Sequence, residues 1–158
     1  MSTMRNHRPH LIGQAPSRLG DPAKPCTGRF MRFLCGVAGV STLAYLRAFE
    51  RRNLLPAWPG KCGKGDAFPM EEARAAAAGM DVRGRTVVCC GRKVAGAFGV
   101  RAGFLSETEK DGAAFVVLPH PSGVNRWWNS RSNRRRARRL LRRLIALCRA
   151  TSGPSTPA

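Results

Sequence analysis

The sequence predicts an α/β protein, specifically a three-layer α/β/α sandwich around a four-stranded, mainly parallel sheet. Short apolar runs of strand type alternate along the chain with longer stretches whose apolar residues recur at helical spacing. Strands separated by helices favour parallel pairing, in a sheet that helices cover on both faces. The length of 158 residues is enough for one domain with a real core and not for two.

The first half of the chain supplies two predicted strands and two predicted helices. Residues 10–13 form a short apolar run that a Gly- and Pro-containing loop ends, and this run is the first strand. Residues 29–39 carry a helical apolar stripe, and Ser41 is a suitable N-cap for a second helix at 42–49. Residues 53–55, followed by a proline, are the second predicted strand.

The second half supplies two more strands and three helices. Residues 70–80 are alanine-rich, with two glutamates in the first turn, where the helix dipole favours anions. Residues 85–90 and 114–118 are β-branched, apolar runs, and they are the third and fourth strands. A short helix at 93–98 lies between them. The last helix, at 132–149, combines an apolar stripe with many arginines.

This pattern predicts a single folded domain with two loose ends. We expect residues 1–9 to be a flexible basic start, residues 10–149 to form the domain, and residues 150–158 to be a disordered tail rich in Ser, Thr, Pro and Gly. No segment is long and apolar enough to span a bilayer, and the start lacks the apolar run of a secretory signal. We therefore expect a monomer in the cytoplasm.

The charge of the chain predicts binding to a polyanion. The net charge is +19, from 28 basic and 9 acidic residues. Nucleic acid is the first candidate and an anionic membrane surface is the second. Because no acidic residue follows Asp111, we expect the arginines of the last helix, including Arg135, Arg138 and Arg142, to form an outward ridge that contacts DNA phosphates. The alternative is a solvated helix face with no ligand.

The cysteines do not indicate a metal site. The chain has six cysteines, none of them in a C-x-x-C pair, so structural zinc is not expected. In a reducing cytosol they stay as thiols. We expect Cys35, Cys89 and Cys90 to be small buried apolar residues. No metal or other cofactor is expected.

Polar segments follow the predicted strands and gather at one edge of the sheet. In open parallel sheets, ligands bind at the carboxyl ends of the strands. Gln14 follows the first strand, Asn53 lies within the second, Gly91 follows the third, and His120 follows the fourth. We therefore expect Gln14, Asn53 and His120 to lie around one pocket.

These segments resemble, in order, the motifs of the uracil-DNA glycosylase superfamily. The resemblance runs from about residue 10 to about residue 145. The last motif also resembles P-H-P-S-G-x-N-R-x-W-N of a compact phage and bacterial branch, here residues 119–129. The matching segments are Gly13-Gln14-Ala15-Pro16 (G-[QE]-x-P), Pro25-Cys26-Thr27-Gly28 (P-F-x-G), Asn53 through Pro59-Gly60, Gly91-Arg92-Lys93-Val94-Ala95 (G-x-x-A) and His120-Pro121-Ser122 (H-P-S).

The resemblance implies hydrolysis of the N-glycosidic bond of a flipped uracil, or a related damaged base, in DNA. It implies that His120 stabilises the leaving base through a hydrogen bond to a carbonyl oxygen and that Gln14 orients water. Asn53 would read the Watson–Crick edge of the base, because an amide offers both a donor and an acceptor. The other base-binding positions are Ala15, Pro16, Cys26 and Phe30.

The loop after His120 is expected to enter DNA. The resemblance places Val124 at the position of a wedge that fills the gap left by a flipped base. Ser122, Asn125 and Arg126 would then contact phosphates or the orphan base. The alternative for Val124 is a buried loop anchor. The two tryptophans that follow can stack on bases, but packing of the loop onto the core is favoured.

The sequence departs from the family at two positions. Members of the family carry Asp at the position of Ala15 or Glu at that of Gln14, and a glutamine cannot accept a proton from water. Asp21 and Asp66 occur in nearby loops, but no spacing argument connects them to the site. The aromatic residue that stacks on the base matches Cys26, with Phe30 one turn further on. The paired cysteines of an iron–sulfur cluster are also missing.

These departures leave three functions open. The first is a DNA-binding base-excision glycosylase-like protein that hydrolyses the N-glycosidic bond slowly. The second is a catalytically inactive DNA-binding protein with the glycosylase fold. The third is a basic accessory protein of a phage or prophage that binds nucleic acid through the arginine-rich helix alone.

Overall fold

A five-stranded sheet forms the centre of the computed structural model, which describes residues 7–122 and 124–150. The strand order is β2-β1-β5-β7-β6, with parallel pairing among the first four and an antiparallel β6 at the edge. The strands are β1 (His10–Gly13), β2 (Glu50–Asn53), β3 (Lys61–Cys62), β4 (Gly65–Asp66), β5 (Thr86–Cys90), β6 (Glu107–Lys110) and β7 (Ala113–Leu118). β3 and β4 form a separate antiparallel hairpin.

Helices cover both faces of this sheet. They are α1 (Arg29–Ala38), α2 (Thr42–Ala48), α3 (Met70–Ala78), α4 (Arg92–Ala97) and α5 (Arg131–Ala150), with a 3₁₀ helix at Arg126–Asn129. α1, α2 and α5 pack on one face, and α3 and α4 pack on the other. The predicted three-layer α/β/α sandwich with a mainly parallel sheet is confirmed.

The central strands are buried on both sides, which explains their apolar sequences. All five residues of β5 are buried. Val88 and Cys90 pack with α1 and α5, whereas Val87 and Cys89 pack with α3 and α4. Such strands read as continuous apolar runs. The expectation that Cys35, Cys89 and Cys90 are buried is confirmed.

The observed sheet differs from the predicted one at its two edge strands. The second strand is Glu50–Asn53 rather than 53–55, and β6 raises the strand count from four to five. β2 and β6 are polar, with alternating exposed and half-buried residues, because each sits at a sheet edge and charged residues there discourage further pairing. Leu54 and Leu55 are instead the buried residues that follow β2.

The described start of the chain is hydrogen-bonded to the domain. Of the expected flexible start at 1–9, residues 1–6 lie outside the described residues, and Arg8 donates hydrogen bonds of 2.8 Å to the carbonyl oxygens of Leu46 and Phe49. Of the expected tail, residues 151–158 lie outside the described residues. Among residues 7–122 and 124–150, no helix has the length and apolarity needed to cross a bilayer.

Candidate functional site

A cleft of about 780 Å³ opens at the carboxyl edge of the parallel strands. Gln14 enters it from the end of β1, Asn53 from the end of β2, and His120 from the segment after β7. The structure therefore brings together the three residues that were expected around one pocket from their order in the sequence. The other predicted base-binding positions also line this cleft: Ala15, Pro16, Cys26 and Phe30.

Gly13 allows Asn53 and Cys26 to approach the end of β1. A Cβ atom on Gly13 would lie 2.6 Å from Asn53 Oδ1 and 3.0 Å from Cys26 Sγ. The Cys26 thiol lies 3.9 Å from the same Asn53 oxygen and 3.8 Å from the Arg52 carbonyl oxygen. The amide oxygen of Asn53 therefore packs against the end of β1 and the Cys26 thiol.

Cys26 lines the cleft but its side chain is buried, so it offers no surface on which a base could stack. Its side chain is buried and its backbone has a positive φ of 56°. The Tyr45 hydroxyl donates a 2.7 Å hydrogen bond to its carbonyl oxygen, which fixes this conformation. Burial raises the pKa of the Cys26 thiol to about 12, so the thiol stays protonated at neutral pH. Phe30 is the aromatic side chain of the cleft.

His120 is held by its own backbone and by the Phe30 ring. The His120 carbonyl oxygen accepts hydrogen bonds from Trp128 Nε1 at 3.0 Å and from Asn125 Nδ2 at 3.2 Å. The Phe30 and His120 rings meet edge to face, with centroids 6.4 Å apart. Burial lowers the pKa of His120, an effect that the Asp66 carboxylate opposes and the Lys93 ammonium reinforces. A neutral imidazole is therefore the resting form at neutral pH.

Gly91 brings Gln14 and His120 close to each other. A Cβ atom on Gly91 would lie 3.5 Å from His120 Cβ and 3.6 Å from Gln14 Nε2. Its φ of 100° is a conformation that only glycine adopts readily. The start of α4 therefore passes directly beside the two candidate catalytic side chains.

Charged side chains whose position the sequence did not predict also line the cleft. Asp66, on the short strand β4, acts electrostatically on His120 and forms a 3.4 Å ion pair with Lys61. The hairpin that carries it has two-residue strands, too short for any periodicity to reveal. Asp21 is the second carboxylate of the lining. The basic side chains of the lining are Arg18, Lys24, Arg29 and Arg32.

Comparison of the chain with protein-family models, curated proteins and solved structures gives no match. Within residues 7–122 and 124–150, no group of three or more His, Cys, Asp or Glu side chains is arranged to hold a metal ion.

The loop after His120 differs in part from the expected DNA-contacting loop. Asn125 accepts from the Trp127 N–H at 3.1 Å and donates to His120, so both ends of its amide are used within the loop. Its expected contact with DNA stays a prediction, and it would require at least one of these loop hydrogen bonds to be exchanged. Ser122 Oγ accepts from the Val124 N–H at 3.3 Å. Val124 is 89% exposed, which excludes the buried-anchor alternative.

The tryptophans pack the loop onto the body of the protein, as favoured from the sequence. Trp128 is buried, and its ring meets Phe33 edge to face at 5.1 Å. Trp127 is half-buried between Trp128 and Phe104. Arg126 is exposed, with no hydrogen bond or ion pair to another described residue, and remains available for a ligand.

The α5 arginines with described side chains either bond to other parts of the chain or extend into solvent. Arg134 Nε donates to the Trp128 carbonyl oxygen at 2.7 Å, and Arg143 pairs with Glu107. Arg142 Nε donates a 2.9 Å hydrogen bond to the carbonyl oxygen of Ala38 at the end of α1. The Arg138 guanidinium lies over Gly39, where a Cβ atom would come within 2.8 Å of it. Both side chains thus contact the end of α1 as well as solvent. Four other arginines are exposed, without a hydrogen bond or ion pair to the rest of the described chain: Arg131, Arg135, Arg136 and Arg139.

Proposed function

We propose that this chain is a DNA-binding, glycosylase-like protein that recognises a flipped uracil, or a related damaged base, and slowly hydrolyses its N-glycosidic bond. The observation that carries this proposal is the meeting of Gln14, Asn53 and His120 in one cleft at the carboxyl edge of the sheet. The proposal includes action as a monomer in the cytoplasm, with no cofactor.

Base recognition is assigned to Asn53 and Phe30. The cleft volume of about 780 Å³ is within the range of small-molecule sites and leaves room for an extruded nucleotide. The Asn53 amide matches the O4 acceptor and the N3–H donor of uracil. The Phe30 ring supplies an apolar surface beside His120, and flipped bases are commonly held against such surfaces.

His120 is assigned to the leaving base. When the bond from the sugar C1′ to the base nitrogen breaks, both electrons leave with the base, and the sugar becomes oxocarbenium-like. A neutral imidazole N–H donates a hydrogen bond to the carbonyl oxygen on which the negative charge collects. The lowered pKa of His120 keeps the ring in this neutral form. Backbone amides around Gln14 and Ala15 would support O2 of the base.

Gln14 is assigned to orient the attacking water, and a carboxylate of the cleft is assigned to accept its proton. Gln14 can orient a water toward C1′ but cannot take its proton. Asp66 lines the same cleft as His120 and raises its pKa, and its negative charge would favour the cationic sugar. The water oxygen bonds to C1′ and releases its proton to this carboxylate or to solvent. Because Asp66 is half-exposed and already paired with Lys61, slow turnover is expected.

The test is single-turnover excision on a uracil-containing oligonucleotide. Abasic product is revealed by alkaline cleavage of the strand. The wild-type chain should give product, and His120→Ala should reduce the rate by roughly 10²-fold or more. His7→Ala is the matched control, because His7 is exposed and does not line the cleft. Product from His120→Ala at the wild-type rate would remove this histidine from the reaction.

Two outcomes would favour the alternative functions. Binding that prefers uracil or abasic duplexes without any product would favour an inactive reader of flipped bases, as the alanine at position 15 permits. Equal binding to every duplex would favour an accessory protein that uses only the exposed arginines of α5. Either outcome would overturn the excision proposal.

A further inference from the structure

Two tight turns at the carboxyl edge of the sheet hold large apolar side chains in solvent. Among the described residues, only Leu19, Val124 and Leu43 are large, apolar and strongly exposed, at 96%, 89% and 53%. Leu19 and Val124 follow β1 and β7, the strands that lead to Gln14 and His120. A single exposed apolar side chain needs no explanation. Two of these three residues lie at the carboxyl edge of the sheet, where the cleft opens, and Leu19 also lines the cleft.

The two side chains occupy equivalent positions in their turns. In the Leu19 turn, residues 17–20, the Gly20 N–H donates to the Ser17 carbonyl oxygen at 2.9 Å. In the Val124 turn, the Asn125 N–H donates to the Ser122 carbonyl oxygen at 3.0 Å. Each apolar residue is the third of four residues in a hydrogen-bonded turn. The fold therefore presents both side chains away from the core.

The Leu19 turn is fixed by its neighbours. The Arg18 guanidinium lies 5.9 Å from the centre of the Trp58 ring, in the loop that follows β2. A Cβ atom on Gly20 would lie 2.7 Å from Ser17 Oγ and 3.2 Å from Ser17 N, so a larger residue there would have to displace Ser17. Beyond the turn, Asp21 Oδ1 accepts from the Ala23 N–H at 2.9 Å. Leu19 is thus held on an ordered turn, which lowers the entropic cost of a contact made through it.

The surroundings of Leu19 indicate the chemistry of its partner. Leu19 lines the cleft together with four basic side chains, Arg18, Lys24, Arg29 and Arg32. Cations attract phosphates, and an apolar side chain among them can enter a base step. This combination fits nucleic acid, in which apolar stacked bases lie between two charged backbones. An apolar protein partner would have no use for the cations.

We propose that Leu19 inserts against nucleobases when the protein binds DNA, and that it acts together with Val124 to hold an opened base pair apart. This inference rests on the DNA binding of the proposed function and does not depend on its excision chemistry. The Leu19 turn would be a second insertion point, on the loop after β1. The two insertion points would come from strands on either side of β5.

The test is binding to a duplex that contains a stable abasic-site analogue with 2-aminopurine at the neighbouring position. This analogue cannot be hydrolysed, and 2-aminopurine fluorescence rises when the base unstacks. Leu19→Ser should weaken affinity for this duplex roughly tenfold, as expected for losing the burial of part of a leucine, and should lower the fluorescence change. Affinity for an undamaged duplex should stay near the wild-type value.

Leu43→Ser is the matched control, because Leu43 is the third exposed residue of the same type and lies on α2. It should alter neither affinity nor fluorescence. The double variant Leu19→Ser/Val124→Gly should differ from the sum of the two single changes, since residues that act on one base step couple. Equal effects of Leu19→Ser and Leu43→Ser, or equal losses on both duplexes, would overturn the inference. Failure of the wild-type chain to excise uracil would overturn the proposed function and leave this result intact.

Discussion

At the scale of single residues, the cleft depends on a few close approaches. Gly13, Gly91 and Cys26 carry no chemistry in the proposed reaction, yet they set the positions of Asn53, His120 and Gln14. Asp66, on the hairpin, raises the pKa of His120 against the lowering by burial. A substitution at Gly13 therefore tests the packing around Asn53, and a substitution at Asp66 tests the electrostatic environment of His120.

Gly13→Ala should destabilise the protein and damage the Asn53 position. The new Cβ atom would lie 2.6 Å from Asn53 Oδ1, and overpacking of this kind costs about 1–3 kcal/mol. Thermal unfolding measures the loss. Gly36→Ala is the control, since Gly36 is exposed in α1 and a Cβ atom there would meet nothing within 4 Å. That variant should gain about 0.4–1 kcal/mol. A neutral Gly13→Ala would contradict the close approach.

Asp66→Asn should lower the pKa of His120 further. The carboxylate raises this pKa against the stronger lowering by burial, so its removal leaves burial and Lys93 unopposed. NMR titration of the imidazole measures the shift in the folded protein. Asp21→Asn is the control, because Asp21 lines the same cleft but is not among the groups that shift the pKa of His120. An unchanged or raised pKa in Asp66→Asn would exclude the electrostatic contact.

At the scale of elements, α5 combines packing with charge. Its apolar stripe packs with α1 and α2 against the sheet, through buried residues that include Leu141 and Leu144. The C-terminal end of α1 meets Arg138 and Arg142, and cations are favourable at that end of a helix. Two arginines of the ridge expected from the sequence, Arg138 and Arg142, therefore also contact α1 and connect α5 to it.

The triple change of Arg135, Arg136 and Arg139 to Gln should weaken DNA binding to all sequences about equally. For every phosphate that an arginine no longer neutralises, the salt slope should flatten by about one unit. Thermal stability should stay near wild type, because these side chains are exposed. Affinity for a random duplex across a range of salt concentrations measures the slope. An unchanged slope would mean that these arginines do not contact DNA.

Arg142→Gln is the matched variant on the same helix. It removes the hydrogen bond to the Ala38 carbonyl oxygen and should therefore lower the free energy of unfolding by about 0.5–1.5 kcal/mol. Chemical denaturation measures this change. Stability equal to wild type would show that Arg142 has no role in joining α5 to α1.

At the scale of the whole molecule, the two ends of the sheet have different roles. The carboxyl edge carries the cleft and both apolar turns. At the opposite edge, the starts of β1, β2 and β5 meet through His10, Glu50 and Arg85. This cluster joins three parallel strands by their side chains, so it contributes to stability and not to the candidate site.

Stability should fall as the pH drops below about 6.5, the ordinary pKa of histidine. Burial lowers the pKa values of both His10 and His120 in the folded protein. The unfolded chain therefore takes up more protons in this range, and protonation favours unfolding. Below about 4.5, Glu50 adds to the loss, because His10 and Arg85 hold its pKa down against the opposing effect of burial. Thermal unfolding from pH 8 to pH 4 measures the trend, and a flat profile would contradict it.

The central elements could be predicted from the sequence because local pattern and tertiary environment agree there. β5 and β7 are buried on both faces, so their residues form apolar runs. The stripe of α5 faces the core, so its apolar residues recur at helical spacing. Burial of one or both faces of an element requires apolar residues at regular positions along the chain, and this spacing can be recognised in the sequence. The order of polar segments after these strands then predicted the shared location of Gln14, Asn53 and His120.

Only the tertiary structure decided the elements and contacts that lack such a constraint. β2 and β6 are polar edge strands, and the backbone pairing that defines them leaves no apolar pattern in the chain. The positions of Asp66 in the cleft, of Arg142 on α1 and of Asn125 within its own loop depend on residues distant in sequence or on a particular turn. Such polar contacts form between residues that the fold brings together. They leave no repeating pattern in the neighbouring sequence from which they could be predicted.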